Sequence, residues 1–138
     1  MSLVQTGIGI AGAVLALNFA VSAILPEPVR IQVQALAYDN GVITQERTVR
    51  TENQAFYAQW AATVENADTG ESVRWCEGSG ANAYAAGHKV VTFTLPDWTG
   101  RKECTPESLP PGRYVLSATW HWGVRDAAMK SEPFEVNQ

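Results

Sequence analysis

The sequence predicts an all-β sandwich of about seven strands, preceded by one N-terminal transmembrane α-helix. Three observations predict it. Residues 3–25 run LVQTGIGIAGAVLALNFAVSAIL without one charge. At about 1.5 Å rise per residue, that run forms a helix of roughly 34 Å, enough to cross the apolar layer of a bilayer. Beyond Pro28 the pattern changes to apolar–polar alternation, the period of a half-buried strand. The chain of 138 residues thus divides into an anchor, 1–25, and a domain, 26–138, of the size that holds one core.

The anchor is justified by what it lacks. All 14 acidic and 10 basic side chains come after residue 26. A cleavable signal peptide is the rival reading, with Val21-Ser22-Ala23 as an acceptable cleavage site. No Lys or Arg precedes the apolar run, however, and the run exceeds a usual signal core. Gly7-Ile8-Gly9-Ile10-Ala11-Gly12 spells G-x-G-x-x-G, but no strand precedes it and no βαβ unit surrounds it, so a dinucleotide is not expected. Gly9, Ala13, Ala16 and Ala20 instead fall on one helical stripe of small residues, which lets two helices approach closely in lipid. The alternative is that small residues are simply tolerated there. Asn18 is polar at mid-membrane and suits a partner helix better than lipid. Membrane lipid is therefore an expected partner, and self-association through the anchor an expected mode.

Pro26 and Pro28 end the helix, since proline cannot continue it. Ile31, Val33, Ala35 and Ala37 then alternate with Gln32, Gln34 and Leu36. Asp39-Asn40-Gly41 is a hairpin signal, because Asn and Gly accept positive φ, and a second strand runs from Val42 toward Val49. Phe56, Ala58, Trp60, Ala62 and Val64 form the next apolar face. After a polar turn at 66–71, Val73 and Trp75 resume the alternation and Cys76 ends that strand. Residues 77–87, rich in Gly, Ala, Asn and Ser, read as loop. A strand over 90–95 and a second long loop over 97–111 come next. Tyr114, Leu116, Ala118, Trp120 and Trp122 mark a long strand, and Phe134 with Val136 a last short one.

The two cysteines, Cys76 and Cys104, are an even count beside a membrane segment, which points to one disulfide and an oxidising compartment. Two unrelated buried thiols is the plainer alternative. The nearest cation to the anchor, Arg30, would by charge place the domain in the cytoplasm. One arginine weighs less than a disulfide, so the domain is expected outside the cytoplasm, in a periplasm, at a cell surface or on a virion membrane.

Leu109-Pro110-Pro111-Gly112-Arg113-Tyr114 resembles the L-x-P-G-x-Y approach to a late strand in fibronectin-III and other immunoglobulin-like domains. Ser131-Glu132-Pro133-Phe134-Glu135-Val136 resembles their final strand. The resemblance covers the last third of the chain and implies an immunoglobulin-like β-sandwich whose Tyr114 hydroxyl folds back onto nearby backbone. Antibody domains carry a cysteine two residues after that tyrosine; here the position is Leu116. A Cys76–Cys104 bridge would instead tie a strand end to a loop. One N-terminal anchor with such a domain resembles envelope proteins and phage or virion membrane proteins.

No HExxH, GxSxG or P-loop occurs, and His88 and His121 are the only histidines, so neither an enzyme, a cofactor nor a metal site is expected. The net charge of −4 and the lack of a Lys/Arg stripe speak against nucleic acid. Trp60, Trp75 and Trp120 read as core. Trp98, in the disulfide loop, and Trp122, beside outward-pointing His121, are the possible interface residues, since exposed aromatics anchor protein contacts. The favoured reading, however, is that Trp98 caps the sandwich edge and Trp122 plugs its end. The expected function is a non-enzymatic membrane-anchored structural or interaction protein contacting other proteins of an envelope complex or membrane-containing virion. The runner-up is a glycan- or ligand-binding module with a cleaved signal peptide.

Overall fold

A computed structural model describes residues 29–51 and 55–137. The anchor segment, with its stripe of Gly9, Ala13, Ala16 and Ala20, lies outside the described residues. Among those described, no helix is long and apolar enough to cross a membrane.

Eight strands are described, in two antiparallel sheets packed over one core. β1 (Val29–Asp39) and β2 (Val42–Thr51) form the expected hairpin. Asn40 (φ 52°) and Gly41 (φ 85°) both take the left-handed conformation that a two-residue turn demands. β5 (Gly87–Phe93) pairs with the far side of β2, giving a three-stranded sheet β1-β2-β5. The second sheet runs β4-β3-β6, from β4 (Ser72–Ala85), β3 (Ala55–Asn66) and β6 (Gly112–Trp122). Its far edge is shared by β7 (Arg125–Lys130) and β8 (Phe134–Val136), which pair with successive parts of β6.

Four sequence expectations are corrected. In β1, Gln34 is extra to the ladder: Val33 pairs with Arg47 and Ala35 with Glu46. Such a bulge reverses the faces beyond it. Leu36 is therefore buried and Ala37 exposed, the opposite of the expected alternation. Second, 77–85 is strand, because β3 offers an equally long partner that pairs it from Thr63↔Glu77 to Ala55↔Ala85. Pairing context overrides the weak strand preference of Gly, Ala and Asn. Cys76 consequently sits inside β4 rather than at its end. Third, β7 is not expected from the sequence, since RDAAMK carries no large apolar alternation. Fourth, the stretch after β5 holds a short helix, α1 (Leu95–Thr99), and a 3-10 turn at Pro106–Ser108. Thr94 caps α1, its side chain accepting from the Asp97 N–H, and Gly100 in the left-handed conformation ends it.

Cys76 and Cys104 form the disulfide, both fully buried. Ile43, Leu95, Leu109, Leu116 and Val64 are the largest fully buried apolar side chains, each contributing roughly 1.5–3 kcal/mol. The Tyr114 hydroxyl donates to the Pro110 carbonyl at 2.6 Å. Between β7 and β8, Ser131 replaces ladder contacts: its N–H donates to the Leu116 carbonyl (2.9 Å) and its hydroxyl accepts from the Leu116 N–H (2.8 Å). On this side Tyr38 of β1 stacks on Phe134 of β8 at 4.3 Å between ring centres, bridging the two sheets. The opposite side, between β5 and β4, is where the sheets part.

Candidate functional site: an aromatic cleft between two strand edges

β4 and β5 are each the outermost strand of their sheet. A single residue, Ala86, joins them as the chain crosses from one sheet to the other. Between them opens a cleft of about 240 Å³ whose aromatic lining is Trp60, Tyr84, Phe93, Trp98 and Trp120. Gln45, Arg47, Asn82 and Asp97 supply its polar groups.

Each wall has a local cause. β2 faces the cleft with Gln45 and Arg47, on the same alternation that buries Ile43 and Val49. Gln45 is 4% exposed, and its Oε1 accepts from the Trp98 indole N–H at 3.4 Å. The Trp120 indole N–H donates to the Tyr84 hydroxyl at 3.1 Å. Trp98 and Trp120 therefore present carbon surface, their polar atoms being used within the protein. Trp60, half-buried, lies across Gly80 of β4, where a Cβ would come within 3.0 Å of its ring.

Three consecutive β4 residues hold α1 and the segment leading from it to Cys104. Cys76 carries the disulfide to Cys104. The Glu77 carbonyl accepts from Arg101 Nη1 at 2.9 Å. Gly78 is so close to α1 that a Cβ would lie 1.5 Å from the Thr99 carbonyl oxygen, an approach only glycine permits. This docking turns Trp98 inward.

Arg47 is the electrostatic feature of the cleft. Its guanidinium sits 5.2 Å from the Tyr84 ring centre, within cation–π range, and makes no ion pair among the described residues. Burial disfavours its charged form and pulls its pKa below the ordinary arginine value; the Tyr84 hydroxyl acts weakly the other way. The histidines lie elsewhere and are exposed. His88 lies on β5 with Nε2 2.7 Å from Glu46 Oε2. His121 Nδ1 is 3.8 Å from Asp126 Oδ2.

No protein-family model and no curated protein matches this chain. The site thus rests on its own geometry.

Of the two tryptophans read as either interface or cap, Trp98 is only 6% exposed. It lines the cleft from inside. Trp60 and Trp75, expected in the core, are half-buried; the Trp75 indole N–H donates to Ser108 Oγ at 3.0 Å. His121 and Trp122 border a second, open groove of about 560 Å³ with Tyr57, Gln59 and Ala81. Trp122 packs edge-on against Phe56, and its indole N–H is buried without a partner among the described residues. No three His, Cys, Asp or Glu side chains gather among the described residues. Sequence reasoning missed Gln45, Arg47, Asn82 and Tyr84. A signal for two of them existed: Gln45 and Arg47 occupy apolar-phase positions between Ile43 and Val49.

Proposed function

We propose that this chain is a non-catalytic, membrane-tethered interaction protein that accepts an extended segment of a partner protein along β4. In this reading residues 1–25 anchor it, and an immunoglobulin-like sandwich stands outside the cytoplasm in an envelope or virion assembly. The Tyr114–Pro110 hydrogen bond supports the immunoglobulin-like type, and the disulfide supports an oxidising compartment.

One observation carries the proposal. β4 is an edge of 14 residues, and from Gly78 to Gly87 no residue is charged. Soluble proteins usually shield such an edge with lysine, proline or short strands, because its free N–H and C=O groups invite another strand. Strand addition draws affinity from main-chain hydrogen bonds and specificity from side chains that enter neighbouring pockets.

The test is purification of the tagged full chain from membranes, beside a Ser79→Lys/Ala83→Lys variant. Both positions are exposed and alternate with cleft-lining Asn82 and Tyr84. The wild type retains a partner in fixed stoichiometry, and the variant loses it with its unfolding midpoint unchanged. A wild type without a partner, or a variant that keeps it, overturns the proposal.

A further inference from the structure

We propose that the aromatic cleft is a binding site for a carboxylate-bearing sugar ring, the uronic- or sialic-type unit of an acidic polysaccharide. The inference stands apart from strand addition at β4, since it rests on the lining of the cleft rather than on the strand's main-chain edge.

Four features converge. The first is size. Drug-sized ligands occupy pockets of roughly 300–1,000 Å³. A cleft of about 240 Å³ is suited to one ring, with the remainder of a chain outside.

The second is the surface offered. Trp98 and Trp120 have their N–H groups committed to Gln45 and Tyr84, so they close the buried part with carbon. Trp60 is half-buried, and its β4 neighbour Gly80 has no side chain to cover it. A flat ring at the border of solvent is the platform on which the C–H face of a sugar stacks.

The third is the polar complement. Asn82 and Asp97 are exposed at the same cleft and supply amide donors and carboxylate acceptors. A ring bearing adjacent hydroxyls needs both kinds of group. A purely apolar side chain would leave them unused.

The fourth is Arg47, which selects the acid. Its guanidinium is partly withdrawn from water, faces an aromatic ring and has no carboxylate partner among the described residues. Asp97 lines the same cleft but forms no ion pair with it among the described residues. Arginine's planar fork matches a carboxylate in two parallel hydrogen bonds, stronger than neutral ones. A partly desolvated, unpaired cation beside an aromatic platform is thus matched by an anionic ring.

The experiment uses the full chain in a detergent without a sugar headgroup. Tryptophan fluorescence and calorimetry follow titration with hexagalacturonate and with maltohexaose, a neutral chain of equal length. An array of uronate- and sialate-bearing oligosaccharides is probed in parallel. Saturable binding of at least one acidic glycan is expected, at least tenfold tighter than the neutral chain and weakened by added salt. Arg47→Gln lowers that affinity at least tenfold and removes the preference for acid. Trp60→Ala weakens acidic and neutral sugars alike. Asn82→Ala, at an exposed position, keeps the test valid if Arg47→Gln unfolds, and it too weakens binding. No saturable binding by any acidic glycan overturns the site. So does equal binding of the neutral chain, or affinity untouched by Arg47→Gln or Asn82→Ala in folded protein. Loss of the protein partner in the Ser79→Lys/Ala83→Lys variant, with glycan binding intact, separates the two proposals.

Discussion

Gly78→Ala is expected to disturb the site strongly, though Gly78 does not itself line the cleft. A Cβ there would lie 1.5 Å from the Thr99 carbonyl oxygen and 2.7 Å from its carbon, whereas ordinary contact begins near 3.4 Å. The neighbouring atom is backbone, so no rotamer relieves the clash. α1 must lift from β4 by roughly 2 Å, working against the Cys76–Cys104 bridge and the Arg101–Glu77 hydrogen bond. Overpacking of this kind costs about 1–3 kcal/mol, occasionally more. Lifting α1 also exposes part of Leu95 and Trp98, whose full burial is worth roughly 1.5–3 kcal/mol each. The combined loss is about 3–5 kcal/mol. For a body of this size each kcal/mol moves the melting temperature by about 4 °C, so the expected fall is at least about 12 °C. Urea unfolding and calorimetry of the oxidised full chain measure it, with Ser79→Ala, exposed on the same strand, as the control near wild type. A Gly78→Ala protein within about 1 kcal/mol of wild type would refute the claim that α1 is seated on bare β4 backbone.

Removing the bridge as Cys76→Ala/Cys104→Ala frees a separation of 28 residues in the unfolded chain and lowers stability by about 3–4 kcal/mol, read from urea midpoints. Tyr114→Phe deletes the donor to the Pro110 carbonyl and costs about 1–2 kcal/mol, checked by thermal unfolding. The two tryptophans at the end of β6 respond oppositely. Trp120→Phe breaks the bond to the buried Tyr84 hydroxyl and loses about 1–3 kcal/mol, whereas Trp122→Phe removes an unpartnered buried N–H and leaves stability unchanged or higher. Arg47→Met replaces a partly desolvated cation by an apolar chain of similar reach and raises stability by about 1 kcal/mol, measured by urea unfolding, while acidic-glycan binding disappears.

The strands with strong local signals were legible: the β1–β2 hairpin through Asn40-Gly41, β3 through its apolar phase, and β6 from Tyr114 to Trp120. What escaped were features set by partners distant in sequence. The bulge at Gln34 is invisible in β1 alone, because it exists only relative to Arg47 and Glu46 of β2. β4 beyond Cys76 is strand only because β3 supplies an equally long ladder. Trp98 was readable as a tryptophan in a loop, but its direction is set by Gly78, a residue that carries no hydrophobic signal. The cleft escaped for the same reason: its walls come from β2, β3, β4, β5, β6 and α1, and no single stretch of sequence holds two of its tryptophans together.

The legible clue to the cleft was a broken rule. Ile43, Gln45, Arg47 and Val49 share one face of β2, and apolar residues at all four would close the sandwich more tightly. The two polar residues there stand where apolar contact would be expected: Gln45 is buried with its amide oxygen on the Trp98 indole N–H, and Arg47 leaves a guanidinium partly out of water over Tyr84. Local rules are expected to fail where a protein binds something, because stability is exchanged there for recognition. The opposite side of the sandwich, closed by the Tyr38–Phe134 stack, makes no such exchange. The asymmetry between a sealed side and an open, arginine-lined side of one small body is therefore a reason to look for a ligand at the β4–β5 opening before any other part of the surface.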